Sequence, residues 1–251
     1  MTTIIEKISK SRSTIMEILN NYDWDISNIP IISAYEIDQL YNIENNKNSI
    51  YSSFGIAAGC NFKLTHKHIP SHALHVIYYN MPSGNQSSVK VNKSIVDKIL
   101  NLYNENLINS DDSISIIIND PITDTVLKIN DSINVLLHEN YNGPSEQIKE
   151  EMSKSNLHLF DNYFRNVTIN YINTLQVNIL DHYLIPTHIP IRDITEINII
   201  LKKYNTTSNQ MPIISKNDIV AKTIRLNVGE MCKIIRHSKT AGVEEYYRIC
   251  K

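Results

Sequence analysis

The sequence predicts an α/β N-terminal domain, with a mixed sheet and flanking helices, followed by a small α+β C-terminal domain. Between residues 74 and 133, short strand-like apolar runs alternate with segments of helical period, which is typical of α/β folds. From Asp181 onward the pattern changes to prolines, a helix-start signal and a terminal hairpin. Charge changes as well: residues 1–177 hold thirteen basic and nineteen acidic side chains, whereas residues 178–251 hold eleven and seven. We therefore predict domains at 1–177 and 178–251.

The first predicted element is an amphipathic helix over residues 4–22. Its apolar side chains fall on one stripe at helical spacing: Ile4, Ile8, Ile15, Ile18, Leu19 and Tyr22. Residues 23–30 break the pattern, and the polar run 41–53 predicts a loop.

The central segment predicts two buried strands and two helices. Residues 74–79 form a short apolar and aromatic run, and four of the five residues 114–118 are the β-branched isoleucine, so both favour buried strands. A turn cluster at 81–88 and helical period over 94–108 lie between them. A weaker helical pattern follows Pro121.

Two segments complete the predicted N-terminal domain. Residues 139–155 are polar and hold the single Gly-Pro pair, so we interpret them as an insertion or linker. Residues 157–180 predict further strands.

The C-terminal domain begins with extended backbone and a capped helix. Pro186 and Pro190 favour extended conformations. Asp193 and Glu196 have the spacing of a capping box, which predicts a helix from there to Tyr204.

A short helix and a hairpin end the chain. Residues 218–223 predict the helix, and residues 231–236 and 244–250 predict the two strands. The turn at 237–242 contains Gly242, which can adopt the positive φ that such a turn needs.

Composition excludes several classes of protein. The six glycines form neither GxGxxG nor GxxxxGK[ST], so dinucleotide and P-loop sites are excluded. A net charge of −2 argues against a strongly basic nucleic-acid coat. Three scattered cysteines without a CxxC pair, and no secretory signal at the start, predict an intracellular, reducing location. No run approaches about 20 apolar residues, so we expect no membrane partner.

The sequence predicts no catalytic residues. No lysine has an acidic residue two positions before it, so the Asp/Glu-x-Lys motif of Mg²⁺-dependent endonucleases is absent, and GxSxG and HExxH are absent too. Cys60 lies near His66 in sequence and could be a nucleophile, although buried cysteines are usually inert.

Four histidines are close in sequence: His66, His68, His72 and His75. They could bind Zn²⁺, but zinc sites usually include cysteine or carboxylate, and a polar loop with one or two hydrogen-bonded histidines is the commoner explanation. We predict no metal site and no cofactor.

A basic run could contact phosphates: Lys222, Arg225, Lys233, Arg236, His237 and Lys239. Glu230 interrupts it, Glu244 and Glu245 follow it, and the adjacent Tyr246 and Tyr247 would point to opposite faces of a strand. A solvated face or an acidic protein partner is favoured over nucleic acid.

The C-terminal segments DHYLIPTH, QMPIISKNDIVAK and VGEMCKIIRHSKTAG, closing on YYRIC, resemble the fifth, shared subunit of eukaryotic DNA-dependent RNA polymerases and its archaeal counterpart. The residues that fit the family pattern are His182, Pro186, His188, Tyr204, Pro212, Asp218, Val220, Ala221, Gly229, Lys233, Ile234, Ile235, Arg236, Ser238, Thr240, Ala241, Gly242, Tyr247 and Arg248. The family pattern has other residues where this chain has Ile219, Lys222 and Val228.

Weaker similarity at the N-terminal end lies in KSRSTIMEILNNYDWDIS, HVIYY and SIIINDPITD. These segments are similar to the jaw domain of the eukaryotic form, which the archaeal counterpart lacks. Isoleucine and asparagine, whose codons are AT-rich, are common in the chain. This bias indicates the genome of a large cytoplasmic DNA virus or a protist.

The resemblance implies a non-catalytic structural subunit. Its C-terminal assembly domain would dock on the largest subunit, and its jaw domain would lie beside downstream duplex DNA. The implied interface residues are His182, Pro186, His188, Asp218, Val220, Ala221, Gly229, Lys233, Ile235, Arg236, Ser238, Thr240, Gly242, Tyr247 and Arg248.

Three residues would be close to DNA: Asn119, Pro121 and Thr123. The alternative is an ordinary strand-to-helix turn with Thr123 as the helix cap. The location would be the nucleus for a cellular protein, or the virion and cytoplasmic factory for a viral one. A metal-dependent nuclease and a free-standing DNA-binding adaptor stay open as alternatives.

Overall fold

The computed structural model describes residues 3–42, 50–82, 90–139, 141–238 and 242–251. The chain folds into two compact units. The N-terminal unit comprises the residues up to Ser145 together with Phe164–Val177, and the C-terminal unit comprises Glu146–Tyr163 and Asn178–Lys251. The limits 1–177 and 178–251 stay a prediction; the two units share the division after residue 177 but group 146–163 with the C-terminal residues.

The N-terminal unit contains a five-stranded sheet in the order β1-β2-β3-β4-β5. The strands are β1 (Trp24–Asp25), β2 (Phe62–His66), β3 (Ala73–Tyr79), β4 (Ser113–Ile118) and β5 (Val167–Tyr171). β1, β2 and β3 pair antiparallel, whereas β3, β4 and β5 pair parallel. The predicted α/β class with a mixed sheet and flanking helices is confirmed.

Four helices accompany this sheet: α1 (Ile4–Asn21), α2 (Ala34–Asn42), α3 (Ser94–Asn104) and α4 (Asp124–Glu139). The predicted first helix is confirmed, and a capping box begins it. The Thr3 hydroxyl accepts the Glu6 N–H, and the Glu6 carboxylate accepts the Thr3 N–H.

The sheet is covered on both faces. Side chains of α1 and α2 pack with Leu74, Val76 and Tyr78 of β3. Those of α3 and α4 pack with the alternate residues, including Ile77 and Tyr79. Every residue of β3 and β4 is therefore buried, which explains why both strands are mostly apolar rather than alternating; the exceptions are His75, Ser113 and Ser115.

Several predictions for this part need correction. α2 and β2 were not predicted, and α2 ends inside the predicted loop 41–53, of which 43–49 are outside the described residues. The predicted turn at 81–88 lies mostly outside them, too, because 83–89 are not described.

Other corrections concern the segment after α4. Within the predicted linker 139–155, helix α5 (Glu146–Lys154) forms and buries Ile148. Of the predicted strands in 157–180, β5 alone forms, and the rest contains short 3-10 turns because the chain turns tightly there: Asp161–Tyr163, Ile172–Leu175 and Ile179–Asp181.

The C-terminal unit contains a four-stranded sheet in the order β6-β8-β9-β7. The strands are β6 (Thr187–Ile191), β7 (Ile213–Ile214), β8 (Met231–Ser238) and β9 (Gly242–Cys250). β8 pairs antiparallel with β6 and β9, and β7 pairs parallel with β9. β6 is an edge strand and carries Pro190, in agreement with the predicted extended backbone. β7 was not predicted.

Two capped helices complete this unit, α6 (Ile194–Lys203) and α7 (Ile219–Thr223). The Asp193 carboxylate accepts the N–H groups of Thr195 and Glu196, and the Asp218 carboxylate caps α7 in the same way. Both predicted helices and the hairpin are confirmed. Gly242 has a φ of 73°, as the predicted turn needs, whereas residues 239–241 are outside the described residues.

Candidate protein-docking surface

The β8–β9 hairpin divides its side chains between two faces, because successive residues of a strand point to opposite sides. Lys233 lies opposite Tyr247 and Ile235 opposite Glu245, on the face that α6 covers in part; we call it the α6 face. Their neighbours fill the opposite face, with Cys232 across from Arg248, Ile234 from Tyr246 and Arg236 from Glu244. The hairpin residues that we predicted to contact one partner therefore lie on two faces.

The α6 face has a covered end and an open end. Met231 and Ile249 pack with Ile197 and Ile200 of α6 at the covered end. Towards the hairpin tip, Val243 is 59% exposed and Ile189 of the neighbouring β6 is 40% exposed, with half-buried Ile235 on the same face. In the described part of the C-terminal unit, the open end thus combines apolar side chains that are exposed or half-buried.

Cross-strand ion pairs neutralise two residues of the predicted basic run. Lys233 Nζ lies 2.6 Å from Glu245 Oε1, and Arg236 Nη2 lies 2.9 Å from Glu244 Oε2. The hydrogen bond from Lys233 holds the pKa of Glu245 below its usual value. Because the acids that follow the run pair with it, the hairpin is poorly suited to grip phosphates, which supports the interpretation as a solvated or protein-binding face.

The predicted interface residues of α7 and the following loop have different environments. Val220 and Ala221 are buried within the unit, so their side chains are not available for the predicted contact with a partner. Asp218 is exposed and caps α7. Gly229 has a φ of 93°, and a Cβ built there would lie 3.6 Å from the Phe160 ring.

The remaining predicted residues lie around β6 and the hairpin tip. His182 is exposed and stacks on Tyr183, with ring centroids 5.0 Å apart. His188 Nδ1 lies 2.6 Å from the Pro186 carbonyl oxygen. Ser238 belongs to β8, and Thr240 is outside the described residues.

Exposed apolar side chains are concentrated in the last part of the chain. Of the seventeen large apolar residues that are exposed in the described part, ten lie between residues 177 and 243. Tyr183 is 86% exposed and Leu184 is 70% exposed. Sequence reasoning did not single out these two, although both lie in the quoted segment DHYLIPTH. Apolar residues so exposed in a short segment indicate a protein contact.

A buried ion pair, which was not predicted, orders the loop before β8. Arg192 Nη1 lies 2.8 Å from Glu230 Oε2 and also donates to the Arg225 carbonyl oxygen, while Nη2 donates to that of Ile224. Glu230 accepts the Asn227 N–H at 2.9 Å. Burial raises the pKa of Glu230, against the opposing effect of Arg192. The ion pair therefore fixes the loop formed by residues 224–230, which leads into β8.

The predicted DNA-proximal residues lie between β4 and α4. Pro121 and Thr123 are exposed and Asn119 is half-buried. Thr123 directly precedes α4, and its carbonyl oxygen accepts the Leu127 N–H at 3.0 Å. This arrangement fits an ordinary strand-to-helix turn, and it also leaves the three residues accessible at the carboxyl edge of the parallel strands.

The four histidines are occupied by hydrogen bonds and ring contacts. His75 Nε2 lies 2.9 Å from Asp112 Oδ2, and its Nδ1 contacts the Tyr51 hydroxyl. His66 Nδ1 accepts the N–H groups of His68 and Ile69 at 3.2 Å. Within the described ranges, no group of three or more His, Cys, Asp or Glu side chains could hold a metal ion.

Cys60 is buried next to Arg12, whose Nη1 donates to the Cys60 carbonyl oxygen. Burial raises the pKa of the Cys60 thiol to about 11. A thiol of that kind is a poor nucleophile, as the sequence had indicated.

Among the residues that the structure describes, no helix combines the length and apolar character needed to cross a membrane.

Comparison with known proteins agrees with the C-terminal pattern. A family model described as the RNA polymerase Rpb5 C-terminal domain matches residues 177–250. DNA-directed RNA polymerase subunit Rpo5 of Methanosarcina barkeri is 42% identical over 72 residues, which cover 29% of this chain and 91% of that relative. The Rpo5 of Methanocaldococcus jannaschii is 37% identical over 75 residues, or 29% and 92% of the two chains. The subunit rpabc1 of DNA-directed RNA polymerases I, II, and III from Dictyostelium discoideum is 36% identical over 88 residues, or 34% and 44%.

Proposed function

This chain belongs to the family of the fifth subunit of DNA-directed RNA polymerase, Rpo5 or Rpb5, and on that premise we propose that it is a non-catalytic structural subunit of such an enzyme. The proposal rests on the overlap between the family match and the exposed apolar side chains. The family match spans 177–250, and most of the exposed apolar side chains of the described chain lie in the same stretch.

The C-terminal unit docks on the largest subunit of the polymerase. Permanent interfaces commonly bury about 2,000 Å² or more and have an apolar centre with a polar rim. Tyr183, Leu184, Ile189, Ile235 and Val243 supply exposed or half-buried apolar surface. The ion pairs of the hairpin form a charged border beside it.

The N-terminal unit lies beside the downstream duplex DNA as a jaw. Asn119, Pro121 and Thr123 are accessible at the start of the sixteen-residue helix α4, whose N-terminal N–H groups attract phosphate. The acidic balance of residues 1–177 limits this contact to a short stretch of backbone. The chain resides wherever the polymerase does: the nucleus, or the virion and cytoplasmic factory of a virus.

Size-exclusion chromatography of a native extract tests the proposed function. The chain should elute with a complex of several hundred kilodaltons that contains the largest polymerase subunit and has transcription activity, because an assembly subunit is retained in its enzyme. Elution of all the protein near 29 kDa, with or without Mg²⁺-dependent DNA cleavage by the purified chain, would contradict it.

The substitution Ile235→Asp tests the open end of the α6 face. Docking would bury an unpaired carboxylate, so we expect binding to the largest subunit to weaken by about 2 kcal/mol or more, measured by pull-down with the tagged full chain. Val135→Asp is a matched control, since Val135 is equally apolar and 59% exposed on α4 of the N-terminal unit. If Ile235→Asp binds as tightly as the control, this end of the hairpin is not the docking site.

A further inference from the structure

The basic side chains of the C-terminal sheet differ in their partners. Lys233 pairs with Glu245, Arg236 pairs with Glu244 and Arg192 pairs with Glu230. Each of these cations therefore has its counter-charge within the chain.

Arg248 is different. Within the part of the chain that the structure describes, its guanidinium has no carboxylate partner. Its Nη1 reaches the Ile213 carbonyl oxygen at 3.5 Å, the outer limit of a hydrogen bond, and its Nε is buried with no acceptor. The guanidinium carbon lies 5.4 Å from the centroid of the Tyr246 ring, so stacking on that ring holds the group in position.

Arg248 is therefore well placed to bind an anionic ligand. It is half-buried and has lost part of its hydration, yet most of its five N–H donors are unused. The planar group matches a carboxylate with two parallel hydrogen bonds, and the cost of fixing its conformation has already been met by the stack on Tyr246.

The surroundings favour a protein carboxylate. Ile213 contributes its carbonyl oxygen to the site, whereas its side chain pairs with Ile249 on the α6 face. Glu244 and Glu245 already pair with Arg236 and Lys233, so the hairpin offers too few unpaired cations for a polyanion such as nucleic acid.

We propose that Arg248 binds an aspartate or glutamate side chain of the polymerase subunit on which the C-terminal unit docks. This inference rests on the proposed function and adds the chemistry of the partner residue. It also places a contact with the partner on the face opposite the α6 face, whereas the apolar open end belongs to the α6 face.

The variants Arg248→Met and Arg248→Lys test the inference in the full chain. Methionine keeps the apolar length of the side chain but removes all donors, so we expect affinity for the largest polymerase subunit to fall about thirty-fold or more. Lysine keeps the charge without the planar fork, so it should restore part of the affinity. Lys203→Met is the matched control: Lys203 also lies over a tyrosine ring, that of Tyr204, and its removal should change affinity less than about threefold.

Thermal unfolding of the unbound chain separates binding from folding. Removal of an unpaired, half-buried cation should leave the melting temperature unchanged or raise it, whereas loss of a structural residue would lower it. Equal binding of Arg248→Met and wild type, or a melting temperature lower by several degrees, would overturn the inference. So would loss of duplex DNA binding with retained subunit binding, which would indicate a phosphate ligand. Failure of the wild-type chain to bind the subunit would instead reject the proposed function.

Discussion

The two units of the chain bury their sheets in different ways. In the N-terminal unit, helices pack on both faces of the five-stranded sheet, and β3 and β4 have no exposed residue. In the C-terminal unit, the outer half of the hairpin extends beyond α6, and a buried ion pair replaces part of an apolar core. Both units have an apolar core, but the described part of the C-terminal unit also leaves more large apolar side chains exposed.

The largest expected effect tests whether the C-terminal unit relies on its ion pair. Arg192→Met leaves Glu230 buried and uncompensated, which should cost about 3–5 kcal/mol. Hydrogen exchange of the β8 and β9 amides should accelerate. The fluorescence of Trp24, the single tryptophan and a buried residue of the N-terminal unit, should report an unchanged transition.

The double variant Arg192→Met with Glu230→Leu is the control. It removes both charges, so most of the lost protection should return. If the double variant exchanges as fast as the single one, the ion pair is not what orders residues 224–230. If Trp24 responds as well, the two units do not unfold independently.

The stability of the two units should change with pH in different directions, and this effect should be smaller. Burial raises the pKa of Asp112, but hydrogen bonds from His75 and Ala73 outweigh it and leave the pKa below its ordinary value. The stabilisation from Asp112 is therefore present above the unfolded-state pKa and is lost as pH falls through the folded-state pKa. Asp112→Asn should cost about 1.5–3 kcal/mol at pH 7 and should flatten the acid-induced loss that Trp24 fluorescence reports.

The contribution of Glu230 to stability should change with pH in the opposite direction. Burial raises its folded-state pKa, so its contribution is fully present below the unfolded-state pKa and is lost as pH rises through the folded-state value. Protection of the C-terminal strands should increase as pH falls from 7 towards 4.5, and Glu230→Gln should remove that increase. The same pH trend in both units would refute the contrast.

The smallest effect compares two glycines with positive φ. Gly55, in the N-terminal unit, has a φ of 114°, where an added Cβ would lie 3.6 Å from the Asn80 nitrogen. Gly242, at the hairpin tip, has a φ of 73° and open space around it. We expect Gly55→Ala to cost about 2 kcal/mol and Gly242→Ala about 1 kcal/mol in denaturant unfolding. Equal costs would mean that the backbone at the hairpin tip is as constrained as the backbone at Gly55.

Periodicity predicted the elements in which burial follows a single rule. α1 and α3 were recognisable because their apolar residues repeat with the helical period, and β3 and β4 because they are short runs rich in apolar residues. β2 was missed because one of its three inward side chains is His66, which Trp24 buries by an edge contact between rings 5.4 Å apart. An apolar pattern cannot reveal a strand whose inward residue is polar.

α2 was missed for a different reason, although a signal was present. Ser33 and Glu36 form the reciprocal hydrogen bonds of a capping box, and that spacing is visible in the sequence. The Arg192–Glu230 pair had no such signal, because 38 residues separate two groups that β6 and the loop before β8 bring together. Likewise, the exposure of Tyr183 and Leu184 depends on what the rest of the unit leaves uncovered.

Pro190 in the edge strand β6 affects whether another chain can pair with this edge of the sheet. Proline has no N–H to donate, and within sheets it occupies edge strands with that position facing solvent. A further strand, whether from a second copy or from an aggregating chain, would find an incomplete row of donors along this edge. The β6 edge of the four-stranded sheet therefore resists the addition of a further strand, so copies made in excess of their partner should not stack into fibres through this edge.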